Sequence, residues 1–298
     1  MDLNRVAVFV RVAETESFTA AAEALELPKS SVSRSVARLE EELGVRLLQR
    51  TTRKLSLTEA GRLYFDRARA AMTALDNATA AVADMSKEPR GTVRVTAPVD
   101  LASSLLVDVV ARFTRKFPLI RIELHLSARV VDLVEEGFDL AVRAGRLNDS
   151  SLVARRLGIG VIGLYASTRY VKRRGRPKSV AELASHDCVL FRTREMSHTW
   201  KLNGPQGLES VEVRGSVEAD DLSFILRAVQ ADMGIAPVPV YIAAPEAARG
   251  ELVRVLPEHA FQGGPLHVVS PSREYEPARV VLFREFLIES LSKVNWEG

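Results

Sequence analysis

Apolar residues at Leu3, Val6, Val10 and Ala13, three or four positions apart, predict a helix over Leu3 to Thr15. Ser17 and Thr19 are candidate N-caps for a short alanine-rich helix, AAAEALE. Pro28 ends it by pushing Leu27 out of the α region. A third helix is predicted from about Lys29, with Val32, Val36, Leu39 and Leu43 as its apolar stripe and Gly44 as its C-terminal cap. VRLLQRTTRKLSLT has two short apolar runs around the polar tip Arg50 to Lys54, which suits a hairpin. From Thr58 a long helix is predicted, with small and apolar residues at Tyr64, Ala68, Ala71, Leu75, Ala78, Val82 and Met85. The steps alternate four and three, a heptad seam for packing along another helix. The same stripe also fits a helix lying on its own domain, because alanines make a weak seam.

KEPRG, Lys87 to Gly91, reads as a hinge, and beyond it the pattern changes. TVRVTA, IRIELHL, FDLAVR, GVIGLYA and PLHVVS read as strands. Segments near Leu105 to Phe117, Val130 to Glu136, Leu222 to Ala231 and Ala278 to Leu291 read as helices. This predicts an α/β region with a largely parallel sheet. Roughly 200 residues of it exceed a comfortable single open sheet, so two subdomains are expected.

Composition changes the picture only locally. At 298 residues with a net charge of +3, the chain is an ordinary globular protein, long enough for two or three domains. Nothing approaches the apolar length of a membrane span, and MDLNRVAVFVRVAETESF lacks the charged start and cleavage site of a leader, so a cytoplasmic location is expected. One cysteine, Cys188, forbids an intramolecular disulfide. The five histidines have no metal-ligand spacing, and neither a metal nor a cofactor is expected. Residues 1 to 90 hold fourteen basic against thirteen acidic side chains, yet from Lys29 to Lys54 seven basic residues face only Glu40, Glu41 and Glu42.

A short helix, a tight turn and a second helix with an inward apolar stripe form a helix-turn-helix. Its outward face carries Lys29, Ser30, Ser33, Arg34 and Ala37, with Arg38 at the margin. Small hydroxyls and long cations near a helix N-terminus suit phosphates and base edges. The three glutamates would be repelled by a phosphate backbone, so only the N-terminal half of the helix enters a groove. A solvated face would suffice for this helix alone, but the hairpin cations Arg50, Arg53 and Lys54 add a second contact, as in a wing.

The run SFTAAAEALELPKSSVSRSVARLEEELGVRLLQRTTRKLSLTEAG resembles the N-terminal signature of LysR-type transcriptional regulators. RGTVRVTAP, VVDLVEEGFDLAVRAG, SSLVARRLG, HDCVLF, MGIAPVP and GELVRVLP resemble their effector domain, particularly in the CrgA-like branch. The resemblance implies a winged helix-turn-helix over 1–58 and a dimerising linker helix and hinge over 59–90. It further implies an effector-binding region over 91–298, built from two subdomains like those of periplasmic binding proteins. Expected partners are double-stranded promoter DNA, a small-molecule effector, further copies of the chain as a homodimer or homotetramer, and RNA polymerase if the protein activates. The seam would be Tyr64, Ala68, Ala71, Leu75, Ala78 and Val82. Two departures stand out: Pro28 and Lys29 replace the usual Ser-Gln opening of the recognition helix, and Asp220 stands where Asn often precedes Asp.

The effector cleft is expected between subdomain I, about 91–160 with 267–298, and subdomain II, about 161–266. Ligands bind where strands end and lobes converge, which nominates Pro98, Val99, Asp100, Ser127, Trp200 and Asp220. Trp200 as core and Asp220 as a helix cap are the competing readings. Gly158, Gly160 and Gly163 match a dinucleotide pattern but precede a strand-like run instead of a helix. His186 and Cys188 lack an oxyanion or orienting group, and the basic loop Lys172 to Lys178 lacks aromatics for nucleic acid. An enzyme and a stand-alone solute-binding protein are the rival classes. The first lacks a catalytic constellation and the second a secretory signal.

Overall fold

The computed structural model describes residues 2–50, 55–83, 88–127, 129–145, 152–192, 198–271 and 276–296, with the side chains of Arg50, Asp76, Asn77, 80–83 and Gln262 left out. Helix α1 spans Leu3–Thr15, α2 Phe18–Ala24 and α3 Lys29–Leu43. Ser17 caps α2, its Oγ accepting the amide of Ala20 at 3.2 Å. Gly44 closes α3 in the left-handed region at φ 67°, where a side chain would be strained. Val32, Val36 and Leu39 are fully buried against Val6, Phe9 and Val12 of α1 and Ala21 of α2. Strands β1, Leu48–Arg50, and β2, Leu55–Leu57, pair antiparallel with Leu48 opposite Leu57.

The acidic end of α3 has a structural use within the N-terminal domain. Glu40 accepts the amides of Leu47 and Leu48 at 2.8 and 3.0 Å, tying α3 to the start of β1. Glu42 pairs with Arg5 of α1 at 3.2 Å. Leu47 and Leu48 are buried, so Glu40→Ala would leave two amides without an acceptor. We expect it to destabilise the chain by about 1–3 kcal/mol, read as a lower urea midpoint at unchanged slope.

Helix α4, Glu59–Ala83, is capped by the Thr58 hydroxyl, which accepts the Gly61 amide at 2.9 Å. Its first half lies on the N-terminal domain: the Tyr64 ring sits 5.6 Å from that of Phe9, and Ala68 is 7 % exposed within the same core. This corrects two members of the expected seam, because Tyr64 and Ala68 pack inside their own chain. Ala71, Leu75 and Ala78 are exposed, Leu75 by 55 %, while the Val82 side chain lies outside those described. The middle of α4 meets the effector region. Arg69 donates to the Glu136 carbonyl at 2.8 Å, Arg67 pairs with Glu135 at 2.7 Å, and Arg94 donates to the Thr73 hydroxyl at 3.2 Å.

The helix expected over Val130 to Glu136 is a series of turns instead. Asp132 accepts the amides of Val134 and Glu135 at 2.9 Å, and Gly137 then takes φ +68°, so no helix propagates. A Cβ on Gly137 would lie 3.2 Å from the Ala70 Cα, which explains how the backbone approaches α4 so closely.

The effector region begins with β3, Gly91–Ala97, followed by α5, Val99–Leu101, a π-helical turn, Ala102–Leu106, and α6, Val107–Lys116. Next come β4, Ile120–Leu126, β5, Leu140–Ala144, and the long β6, Leu152–Ser167. Helix α7, Thr168–Arg174, leads through a 3₁₀ turn, Ala181–Ser185, to β7, Asp187–Phe191, β8, Thr199–Gly204, β9, Gly207–Glu212, and β10, Arg214–Ala219. Then follow α8, Leu222–Gln230, β11, Ala236–Pro239, α9, Val240–Ala248, β12, Leu252–Val255, β13, Phe261–Pro271, and α10, Ala278–Leu291.

Seven strands form the main sheet in the order β11-β6-β13-β5-β3-β4, with β12 also on β6. The expectation of a largely parallel sheet is corrected: β3 runs parallel to β4 and β5, but β6 pairs antiparallel with β11, β12 and β13. β13 inserts between β5 and β6 and runs antiparallel to both, with Leu266 opposite Ala144 on one side and Pro265 opposite Ile159 on the other, which interrupts the parallel run. The long β6 pairs with β13 over its first part and with β11 and β12 over its end. The largest apolar core joins β3, α6 and α10 to α8 and α9, and a separate core surrounds Trp200.

Candidate nucleic-acid interface and effector cleft

On α3, Lys29, Ser30, Arg34, Ala37 and Arg38 are exposed and Ser33 is half-buried, all on the face away from the Val32–Val36–Leu39 stripe. Pro28 precedes the helix and gives it no side-chain cap; its carbonyl accepts the Ser31 amide at 2.8 Å, so Lys29 and Ser30 are the first-turn positions whose amides face the positive end of the dipole without a side-chain acceptor. Among the described residues the Arg34 guanidinium makes one hydrogen bond, a long 3.4 Å one to the Ser31 hydroxyl. In the wing, the backbone of Arg50 pairs with Leu55, while Arg53 and Lys54 lie outside the described residues.

The cleft candidates separate into two sets. β3 and β4 end together at Ala97 and Leu126, followed directly by Pro98, Val99 and Asp100 on one strand and Ser127 on the other. The Ser127 amide donates to the Ala97 carbonyl at 3.0 Å, and its Oγ accepts the Arg129 amide at 3.1 Å. Asp100 accepts the Tyr241 hydroxyl of α9 at 2.8 Å. Burial, and after it the Asp100 charge, raises the Tyr241 phenol above its ordinary range, which keeps it a neutral donor. In the second set β7 and β10 run parallel and end at Phe191 and Ala219, with Asp220 next in the chain. Arg192 reaches Asp220 at 3.1 Å. Asp220 is therefore not a helix cap: its neighbour Asp221 caps α8, accepting the Phe224 amide at 2.8 Å.

Trp200 is corrected as a cleft residue. It is 1 % exposed and packed edge-on to Phe261 at 5.8 Å inside the second core, which gives it a packing role. Sequence reasoning also missed Tyr241, Arg192 and Arg129, each of which holds a nominated residue. Only recognition of β7 and α9 would have put the first two on strand and helix ends.

Gly158, Gly160 and Gly163 lie inside β6, where no helix begins. Cys188 is buried, and burial followed by the Asp187 charge pushes its thiol up to about 12, so it stays protonated at neutral pH and packs as an apolar side chain. Among the described residues no cluster of histidine, cysteine and carboxylates could hold a metal, and no helix is long and apolar enough to cross a membrane.

Comparison with known proteins agrees with this arrangement. Residues 3–62 match the bacterial regulatory helix-turn-helix protein, lysR family, and residues 86–292 match the LysR substrate binding domain. The transcriptional regulator PtxR of Pseudomonas aeruginosa is 36 % identical over 293 residues, covering 98 % of this chain and 94 % of PtxR. The solved structure of CrgA, a LysR-type regulator from Neisseria meningitidis, superposes with a TM-score of 0.63 at 33 % identity, over 98 % of this chain and 99 % of that one. The full-length Vibrio cholerae virulence activator AphB gives 0.65 at 29 % identity, over 97 % and 99 %. The chain belongs to the LysR family of DNA-binding transcriptional regulators, in which a helix-turn-helix precedes a domain that binds a small-molecule effector.

Proposed function

We propose that α3 enters the major groove of operator DNA, with Ser33 and Arg34 on base edges and Lys29, Ser30 and Arg38 on phosphates. Arg50, Arg53 and Lys54 of the wing contact the adjacent backbone or minor groove. The observation that carries this reading is a helix whose apolar residues Val32, Val36 and Leu39 are fully buried while Lys29, Ser30, Arg34 and Arg38 on its opposite face are exposed. The protein acts in the cytoplasm as a homodimer or homotetramer, joined through the exposed stripe Ala71, Leu75 and Ala78 of α4 with Val82. It touches RNA polymerase if it activates, and no catalytic step is assigned to it. Residues 1–58 form the DNA-binding domain, 59–90 the linker, and 91–298 the effector region.

The effector binds between the strand ends of the two lobes, against Pro98, Val99, Asp100, Ser127 and Asp220. Paired strand ends bearing small polar side chains support this placement. With a small molecule that raises the melting temperature of the full chain, calorimetric titration should show Ser127→Ala weakening binding by about 0.5–1.5 kcal/mol. Unchanged affinity in both Ser127→Ala and Asp100→Ala would put the pocket elsewhere.

A further inference from the structure

A cavity of about 510 Å³ lies between the DNA-binding unit and the effector region, walled by α1, α4, β3 and β4. Six arginines line it: Arg11 from α1, Arg69 from α4, Arg90 and Arg94 around the start of β3, Arg121 from β4 and Arg279 from α10. Among the described lining residues Glu14, Glu123 and Asp139 are the carboxylates that oppose them. Two of these carboxylates already have arginine partners within the wall, Glu14 with Arg11 at 3.1 Å and Glu123 with Arg94 at 3.0 Å. Asp139 accepts the backbone amide of Arg94 at 3.0 Å. Arg90 and Arg121, by contrast, are exposed to solvent and form no ion pair among the described residues. Arg69 faces the neutral carbonyl of Glu136.

We propose that this cavity binds a small multivalent anion, a di- or tricarboxylate or a phosphate compound, on the guanidinium groups of Arg90 and Arg121 with Arg69 and Arg11. Guanidinium forks match carboxylate and phosphate oxygens in pairs, and a ligand site of this size is ordinary. The cations are also crowded: burial, and after it the charge of Arg94, holds the Arg69 guanidinium below its usual value, a tension that a bound anion relieves. None of the recognition-helix cations Lys29, Arg34 and Arg38 lines this cavity, so the site is separate from the proposed DNA face. It is separate from the effector cleft too, which lies at the C-terminal ends of β3 and β4, whereas Gly91 and Arg121 mark their opposite ends. An anion here would bridge α1 and α4 to the sheet and so fix the DNA-binding unit against the effector region.

The test is calorimetric titration of the full chain with citrate and with inorganic pyrophosphate, at constant ionic strength set with chloride. We expect saturable binding of one or both at one site per chain, the stronger probe telling carboxylate from phosphate preference. The double variant Arg90→Gln with Arg121→Gln should raise the dissociation constant tenfold or more, and Arg34→Ala should leave it unchanged. Both substituted positions are exposed, so a melting curve like that of the parent chain is expected alongside. Absence of saturable binding with either probe overturns the proposal. So does binding that Arg34→Ala removes and the double variant leaves intact, which would place the anion on the recognition helix.

Discussion

Arg34→Ala is expected to weaken binding to the specific operator by about 1–3 kcal/mol while changing affinity for random DNA far less. The side chain projects from the exposed face of α3 just beyond its first turn, and among the described residues its one hydrogen bond is the long 3.4 Å one to Ser31. It is therefore available for a bidentate contact with a guanine edge, which a lysine could not reproduce because its ammonium is a point donor. Phosphate contacts behave differently. Loss of Arg38 or Arg53 would weaken all sequences about equally and lower the salt-dependence slope by about one. Competition binding at fixed salt with specific and random duplexes separates the two cases. An equal loss on both would reassign Arg34 to the backbone.

The second large effect is on assembly. Leu75 is 55 % exposed in the single chain, on the part of α4 that neither the N-terminal core nor the effector region covers. If the exposed stripe of α4 meets its copy, Leu75→Glu puts a carboxylate from each chain against apolar partners. Burying unpaired charge costs several kcal/mol, so the dimer should weaken by at least about 3 kcal/mol, more than a hundredfold in dissociation constant. The fold of each chain should survive, because the position is solvated there. Sedimentation velocity reads the result directly: a monomer-sized boundary is expected, and an undisturbed assembly would move the interface to another surface.

The N-terminal domain was legible because its elements are set by local signals. Helix period, the Ser17 cap, Pro28 and Gly44 each act within a few residues, and α1 and α3 have the limits that those signals predict. The glutamates after Arg38 were read only as a mismatch for phosphate. Their hydrogen bonds to Leu47 and Leu48 and their ion pair with Arg5 depend on how the chain folds back, which spacing does not encode. The same distinction explains the linker. A heptad stripe does not say which partner covers it, and Tyr64 and Ala68 meet the core of their own domain while Leu75 does not.

In the effector region the long-range terms dominate. IRIELHL and the final helix were placed correctly, but VVDLVEE has helical spacing and forms turns because Asp132 and Gly137 close the backbone onto α4. Strands β7 to β12 are short, and several carry charged residues on a solvated side, so their alternation is weak in sequence. Trp200 is nominated with Asp220 as the second lobe's contribution to the cleft, with core packing as the competing reading. Its near-complete burial in the second core gives that ring a packing role instead.

The central claim, that the α3 face reads a specific operator, is tested most directly by fluorescence anisotropy. A labelled duplex from the DNA upstream of the chain's own coding sequence is titrated beside a shuffled duplex of equal length, in about 0.15 M salt. The account predicts at least about 10³-fold preference for the upstream duplex, largely lost in Arg34→Ala. Equal affinity of the parent chain for both duplexes, or an upstream preference that Arg34→Ala leaves untouched, would contradict it.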